Sequence, residues 1–303
     1  MKSFFAVLGV RSRQIKGRHS MADRFFTPLR YPGGKSKLCS FIRDLIREND
    51  FEDGVYVEPY AGGAGVALEL LLTDVVSKIH INDLNVGVFN FWSNVLLHTE
   101  RFIDRIYSCS LSMDEWRTQR EIFNSPDKHN GFDVGFAFFY LNRTNRSGII
   151  NGGVIGGYEQ TGNYKIDARF NKDALVERII RISRRADDIH LYNMDAELFL
   201  QAIDAMPLPK ALIYIDPPYY VNGRRLYDNF YEHDDHGRIS KLVSSLRTPW
   251  VLSYDDTEQI RRFYSNSRVA EIDLIYSAQR KMKGQEVIFF SEGLIVPVNL
   301  QIA

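Results

Sequence analysis

The chain has 303 residues, 45% hydrophobic and 25% charged, which is the composition of a folded globular protein. Lysine plus arginine total 38 and aspartate plus glutamate total 38, which excludes a uniformly basic nucleic-acid binder. Any DNA-binding surface must therefore be a local patch. The two cysteines, Cys39 and Cys109, exclude a disulfide framework and a cysteine-based zinc site of the usual spacing.

Residues 1–23 are predicted to be a flexible N-terminal extension, because no periodic apolar pattern accompanies the charges from Arg11 to Arg18. The apolar stretch 1–10 is not expected to be a signal peptide, since no small-residue cleavage site follows it. No apolar run approaches the length that spans a bilayer. We expect a cytoplasmic protein that is not integral to a membrane.

Short segments rich in β-branched and aromatic residues alternate with helical patterns along most of the chain. This βαβ alternation predicts an α/β fold. The predicted strands are 55–58, 78–83, 189–193, 211–216 and 250–254. Two more, 269–276 and 286–291, are predicted to close the sheet as an antiparallel pair joined by the basic segment 279–285.

A glycine turn follows the first predicted strand. Gly62, Gly63 and Gly65 lie between the strand 55–58 and an apolar helix, 66–72. Glycines at this place let the backbone approach a ligand closely. Asp83 ends the second strand, where its carboxylate can accept both hydroxyls of a ribose. Together, the turn and the acid indicate a nucleoside cofactor.

Three other interpretations of these residues were weighed. The turn can be a plain strand-to-helix connection in which Asp83 caps the next helix. A dinucleotide site is disfavoured because Leu68 replaces the third glycine of that fingerprint. An ATP-binding loop at 34–36 is disfavoured because Leu29 replaces its first glycine and no strand precedes it.

The regular alternation breaks between about residue 97 and residue 170, which predicts an inserted domain. Helical patterns at 113–123 and 132–141 lead there into a glycine-rich segment, 148–157. An amphipathic helix follows at 172–185. Arg178, Arg181, Arg184 and Arg185 gather away from its apolar face, either as a solvated surface or as a DNA contact.

The tetrad Asp216-Pro217-Pro218-Tyr219 follows the apolar strand 211–215, at the sheet edge where open α/β sheets bind ligands. An aromatic amine is a poor nucleophile until its hydrogens are held. Asp216 can accept one of those hydrogens and a backbone carbonyl the other, while the prolines stiffen the segment. Tyr219 offers a face on which a flipped-out base can stack.

The simpler interpretation of the tetrad is a strand terminator in which Asp216 makes a local turn. The position of the tetrad after a strand predicted to be buried, downstream of the predicted cofactor turn, favours the catalytic interpretation. The loop 220–236 that follows is rich in Tyr, Asn and Asp, and we expect Tyr227 and Tyr231 to help close the site. His233 and His236 are expected at the surface.

From Leu29 to Ser291 these motifs, in this order, resemble the Dam-like or D12 class of N6-adenine-specific DNA methyltransferases. The resemblance implies a Rossmann-like S-adenosylmethionine-dependent methyltransferase sheet with an inserted, mainly helical target-recognition domain. The cofactor residues that it implies are Tyr31, Lys35, Glu58, Tyr60, Gly62, Gly65, Asp83, Asp195 and Asp216. Asp195 has a second interpretation, because an aspartate there can simply cap the next helix.

The segment 139–153 resembles the family's target-recognition segment. The resemblance implies that Arg143, Arg146 and Asn151 contact DNA, together with Arg30 just before Tyr31. The predicted division of the chain is an extension at 1–23, a catalytic domain at 24–96 and 171–303, and a target-recognition domain at 97–170.

The resemblance implies transfer of a methyl group from S-adenosylmethionine to a flipped-out adenine in duplex DNA, without a metal. The protein is expected to associate with the nucleoid through DNA, and a monomer is compatible with the sequence. Cytosine N4 or RNA as substrate, and a catalytically inactive DNA-binding relative, are the alternatives. The recognition segment does not match the GATC pattern residue by residue, so the DNA sequence recognised stays open.

Overall fold

The computed structural model describes residues 26–30, 36–221, 231–278 and 280–297. Its seven strands form one sheet in the order β3-β2-β1-β4-β5-β7-β6. Five strands are parallel and belong to the α/β alternation: β1 (Val55–Glu58), β2 (Lys78–Asn82), β3 (Ile189–Tyr192), β4 (Ala211–Ile215) and β5 (Trp250–Asp255). The last two are antiparallel: β6 (Arg268–Ala278) and β7 (Arg280–Phe290).

Helices cover the sheet and build the insertion. They include α1 (Ser36–Glu48), α2 (Gly65–Leu72), α3 (Val86–Leu97), α4 (Thr99–Ser108), α5 (Met113–Asn124), α6 (Gly131–Thr144), α7 (Lys172–Ser183) and α8 (Ala196–Ala205). Two more, His233–Ser245 and Glu258–Phe263, flank β5 in the chain. In the described part of the chain, no helix is both long and apolar enough to cross a membrane.

The strand order places the ends of the parallel strands at one ligand-binding edge. Every residue of β1 and β4 is buried, as expected for parallel strands covered on both faces. The order reverses at β1, which has β2 on one side and β4 on the other. In open α/β sheets the crevice beyond the carboxyl ends of the strands at such a reversal is where ligands bind.

The apolar core runs without interruption from the sheet into the insertion. Phe91 of α3 stacks on Phe139 of α6 with ring centroids 5.6 Å apart, and meets the edge of Phe102 of α4 at 5.8 Å. These rings share one buried cluster with Leu68 of α2. Each buried aromatic contributes about 2–3 kcal/mol. The predicted boundaries at residues 97 and 170 therefore both fall within one packed core.

The C-terminal strand pair is longer than predicted. Residues 279–285 were expected to connect two short strands, but β6 and β7 pair in register from Arg268 with Phe290 to Ala278 with Arg280. That expectation was wrong because main-chain hydrogen bonds, rather than apolar side chains, hold an antiparallel ladder together. Polar residues can therefore continue the ladder beyond the core.

Candidate active site

The turn after β1 is held at Gly62. Gly62 has φ of 47°, a left-handed conformation that suits glycine. Its N–H donates to Asp83 Oδ2 at 2.8 Å, and its carbonyl accepts from Trp92 Nε1 at 2.9 Å. The sheet thus brings the predicted turn and the predicted acid together.

Asp83 does not cap the helix that follows it. Its Oδ1 accepts the N–H of Asn85 at 2.9 Å, and Asn85 is the residue whose side chain caps α3. The capping interpretation of Asp83 is therefore wrong. Asp83 is half-buried at the ligand edge, beside the glycine turn.

Glu58 and Gly65 lie where β1 passes into α2. Glu58 is buried, and its Oε1 accepts the N–H of Ala67 at 3.1 Å in the first turn of α2. A carboxylate is favourable there because the first N–H groups of a helix lack partners within it. Gly65 is exposed as the first residue of α2. Glu58 thus anchors the helix that begins behind the glycine turn.

Asn82 joins the ends of three strands, and sequence reasoning missed it. Its amide donates to Pro59 O at 2.9 Å and to Met194 O at 3.0 Å, and its carbonyl accepts from Met194 N at 2.9 Å. The available sequence signal was an amide near the end of the predicted strand 78–83, and in the structure Asn82 is fully buried. Asp195, next to Met194, is exposed and caps α8 through Glu197 N at 2.9 Å. The cofactor contact of Asp195 stays a prediction.

Asp216 is held by a side chain from the neighbouring strand. It is half-buried, one residue beyond β4, and its Oδ1 accepts from Ser253 Oγ of β5 at 2.9 Å. Ser253 Oγ is also 2.6 Å from the hydroxyl of Tyr214. This chain of hydroxyl groups orients the carboxylate.

The residues after Asp216 are held just as firmly. Pro217 and Pro218 are buried, and the hydroxyl of the mostly buried Tyr219 donates to Glu286 of β7. The N–H groups of Tyr220 and Val221 donate to the two carboxylate oxygens of Asp255, at 2.8 and 2.9 Å. Glu286 and Asp255 were not predicted from the sequence.

A set of aromatic contacts links the glycine turn to the loop after the tetrad. Tyr60 and Tyr231 are hydrogen-bonded through their hydroxyls at 2.8 Å. The Tyr231 ring meets His236 at 5.5 Å, and His236 meets Tyr220 at 5.0 Å. Burial raises the pKa of Tyr231 to about 12 and that of Tyr60 well above its usual range, so both phenols are neutral near pH 7.

His236 is 1% exposed, so its predicted surface position was wrong. It lies on the buried face of the helix His233–Ser245, in helical register with Ile239, Ser240 and Val243. Its Nδ1 is 2.7 Å from the Tyr254 hydroxyl, and burial lowers its pKa. His233 is exposed, as predicted.

The residues predicted to contact DNA surround one buried amide, Asn142. Its side chain accepts from Arg30 N at 2.7 Å and donates to Arg30 O at 2.7 Å and Gly148 O at 3.1 Å. Asn145, at the end of α6, donates to Ile149 O and Ile150 O and accepts from Trp116 Nε1 at 2.8 Å. The two amides attach the loop 145–154 to α5, α6 and Arg30.

The four predicted DNA-contact residues differ in exposure. Arg146 and Asn151 are exposed on the loop 145–154. Arg30 and Arg143 are half-buried and donate to backbone carbonyls, Arg30 to Asn145 O at 2.8 Å and Arg143 to Arg169 O at 2.8 Å. Tyr31, Lys35 and Tyr227 lie outside the described residues.

The sheet order, the glycine turn beside Asp83 and the restrained segment at Asp216 define a Rossmann-like α/β protein with its site at the carboxyl ends of the parallel strands. The chain belongs to the D12 class N6 adenine-specific DNA methyltransferase family, whose model matches residues 31–278. The predictions of this family and of the fold class are confirmed. The protein is a methyltransferase.

A curated relative is the type II methyltransferase M.MjaIII of Methanocaldococcus jannaschii, 24% identical over 237 residues, which are 72% of this chain and 79% of that one. Among solved structures, an rRNA methyltransferase of Streptomyces viridochromogenes has a TM-score of 0.37 and 12% identity, covering 86% of both chains. A candidate RNA methyltransferase of Pyrococcus horikoshii has a TM-score of 0.42 and 9% identity, covering 87% of this chain and 88% of that one. At these scores the two structures carry no argument about the substrate.

Proposed function

We propose that the protein transfers a methyl group from S-adenosylmethionine to the exocyclic N6 of an adenine that is flipped out of duplex DNA. The observation that carries the proposal is the Asp216 carboxylate, oriented by Ser253 at 2.9 Å and one residue beyond the strand that adjoins β1. β1 leads directly into the glycine turn at Gly62. An acceptor for amine hydrogens and a turn suited to a nucleoside thus occupy adjacent strand ends.

The residues present fit S-adenosylmethionine, which when bound supplies an activated methyl group on a sulfonium. The Asp83 carboxylate suits the ribose hydroxyls, and the Gly62 turn allows a close backbone approach. By family membership, Tyr31 would face the sulfonium and Lys35 the methionine carboxylate. Glu58, Tyr60 and Gly65 would shape the turn, and Asp195 would reach the adenine of the cofactor.

Asp216 would accept one hydrogen of the target amine, and a backbone carbonyl of the tetrad would accept the other. Both hydrogen bonds draw the nitrogen lone pair out of conjugation, which makes the amine nucleophilic. The restraints from Ser253 and Asp255 mean that little reorganisation would be needed as N6 bonds the methyl carbon and the bond from that carbon to the donor sulfur breaks. The surplus proton on N6 would leave through the hydrogen bond to Asp216. Tyr219 would support the extruded base, and extrusion costs a few kcal/mol.

The decisive experiment incubates the purified protein with duplex DNA of varied sequence and S-adenosylmethionine labelled in its methyl group. The DNA is then digested to nucleosides, and we expect the label in N6-methyladenine. Label in N4-methylcytosine, or label that enters RNA but not DNA, would overturn the adenine assignment. Sequencing of methylated genomic DNA would then identify the recognised site.

A further inference from the structure

Four arginines from separate segments converge beside the loop 145–154. Arg143 of α6 donates through Nε to Arg169 O at 2.8 Å and through Nη1 to Pro28 O at 3.4 Å. Arg178 of α7 donates to Thr27 O at 3.3 Å. Arg30, two residues beyond Pro28, donates to Asn145 O at 2.8 Å. The segment 27–30 is therefore contacted by both Arg143 and Arg178.

None of these four guanidinium groups forms an ion pair within the part of the chain that the structure describes. The hydrogen bonds of Arg30, Arg143 and Arg178 go to backbone carbonyls, and Arg169 is exposed with its guanidinium 5.9 Å above the Tyr164 ring. Other arginines are paired with carboxylates: Arg43, Arg47, Arg105, Arg117, Arg185, Arg238, Arg247, Arg261 and Arg262.

The electrostatics of the cluster agree with the contacts. Burial, with smaller effects from the charges of Arg30, Arg178 and Arg169, lowers the pKa of Arg143 to about 9. Burial and Arg169 lower the pKa of Arg30 as well. Glu177, next to Arg178 on the exposed surface, supplies an opposing charge. Four cations in close proximity repel one another unless an anion neutralises them.

We propose that Arg30, Arg143, Arg169 and Arg178 form a binding site for the phosphate backbone of DNA. The site adjoins the loop that carries Arg146, so a strand bound there would pass the residues predicted to reach base edges. Guanidinium groups suit phosphate because several N–H donors face the oxygens at once. The assignment rests on the proposed action on DNA, and its new content is the role of Arg169 and Arg178.

In the structure, the arginines of the predicted helix 172–185 make different contacts. Arg185 pairs with Asp74 and Asp188, and the Arg181 guanidinium lies 4.7 Å above the Phe26 ring. Arg178, in contrast, reaches the segment 27–30. The arginines of the predicted stripe therefore differ in their contacts, and Arg185 lies beyond the end of α7 at Ser183.

The test measures DNA binding by fluorescence anisotropy over a range of salt concentrations. The variants are Arg169→Gln and the double variant Arg169→Gln/Arg178→Gln, compared with the wild-type protein. Each lost phosphate contact reduces the slope of log K against log salt by about 1. We expect affinity to fall about tenfold for Arg169→Gln, and more for the double variant, alike for duplexes of every sequence.

Arg262→Gln is the matched control, because it removes the same charge from a surface pair with Glu258. It should bind DNA like the wild-type protein. If the Arg178→Gln change impairs folding of the double variant, Arg169→Gln alone tests the phosphate site. The side chain of Arg169 is exposed, and Arg143 bonds to its backbone carbonyl, which the substitution keeps. Calorimetric binding of S-adenosylmethionine reports whether each variant is folded.

Unchanged affinity and salt slope in Arg169→Gln would overturn the phosphate site, while methylation by the wild-type protein would leave the proposed function standing. Binding that depends on Arg169, without methyl transfer to any DNA, would overturn the proposed function and support the site. Binding of an RNA duplex in place of DNA would overturn the assignment to DNA.

Discussion

Asp216 combines a proposed chemical role with a restrained geometry. Its carboxylate follows the buried strand β4 and accepts a hydrogen bond from Ser253, which belongs to β5. The proposed chemistry requires an acceptor that does not move during transfer. The effect on methyl transfer of removing the carboxylate can therefore be measured separately from the effect of removing the hydrogen bond that orients it.

The first prediction concerns the acceptor itself. Asp216→Ala should lower kcat for methyl transfer at least a hundredfold, about the loss seen when one preorganised electrostatic group is removed. The affinity for S-adenosylmethionine should change little, because Asp83 and the Gly62 turn remain. Single-turnover transfer of label and calorimetry measure the two quantities. Equal turnover in the variant would remove Asp216 from the mechanism.

The second prediction concerns the group that orients it. Ser253→Ala should lower kcat about tenfold with little change in KM for S-adenosylmethionine, because the carboxylate remains but is no longer restrained. Stability should fall by about 1–3 kcal/mol, since the buried Tyr214 hydroxyl also bonds to Ser253. Ser253→Thr, which keeps the hydroxyl, should recover much of the rate. Ser245→Ala, at an exposed helix end, is the control.

Sequence reasoning found Asp216 but not the residues that hold it. The tetrad is contiguous, and its position after an apolar strand is visible in the sequence. Ser253 and Glu286 reach the tetrad, and Asp255 reaches the two residues after it, only through the pairing of β4 with β5 and of β5 with β7. That register depends on packing between strands far apart in the chain, so no local pattern reports it.

At the scale of elements, the loop 145–154 and the segment 27–30 form one hydrogen-bonded unit. Asn142 bonds to both main-chain groups of Arg30 and to the carbonyl of Gly148. Gly148 has φ of 76°, and a Cβ there would lie 2.4 Å from Arg30 O. The close approach of the two segments therefore depends on the absence of a side chain at Gly148.

The third prediction follows from that approach. Gly148→Ala should destabilise the fold by about 1–3 kcal/mol and weaken DNA binding at least tenfold, because the loop must move away from Arg30. Gly153→Ala is the matched control, as no atom lies within 4 Å of the added Cβ. Denaturant unfolding and anisotropy measure the two effects. Similar behaviour of the two variants would show that the approach is not required.

Element boundaries were predicted well where apolar patterns are strong. β1 begins and ends at the predicted residues, and α5 and α6 lie within a few residues of their predicted limits. The errors fall where the pattern is polar. Residues 280–285 extend β7, and His236 occupies a buried helical position among tyrosines. A polar side chain can be buried once aromatic neighbours supply a hydrogen bond, which composition alone does not indicate.

At the scale of the whole molecule, the sheet contains a buried ionisable group that makes the stability of the fold depend on pH. His80 of β2 is 5% exposed, stacks on His190 with centroids 4.4 Å apart, and lies 3.1 Å from the Tyr192 hydroxyl. Burial, with smaller effects from His190 and Lys78, lowers its pKa to about 4. His80 is therefore neutral in the folded protein at pH values where the unfolded chain already binds a proton.

The fourth prediction is the resulting pH dependence. Stability from neutral His80 is fully present above pH 6.5 and is lost as the pH falls towards 4, up to about 3 kcal/mol. His80→Asn should flatten the fall in the free energy of unfolding between pH 6.5 and 4. His129→Asn, at an exposed position, should retain the wild-type dependence. Denaturant titrations at several pH values measure the free energy of unfolding of each protein. If this free energy falls in parallel with pH in all three proteins, the pH dependence does not come from His80.

The position of β7 has a consequence for how the protein is made. β7 is synthesised after β5 and β6, yet it lies between them in the sheet and carries Glu286, the partner of the Tyr219 hydroxyl. A nascent chain that already contains the tetrad therefore still lacks one of its anchors. We therefore expect a fragment that stops before β7 to be inactive in methyl transfer, although it contains the tetrad.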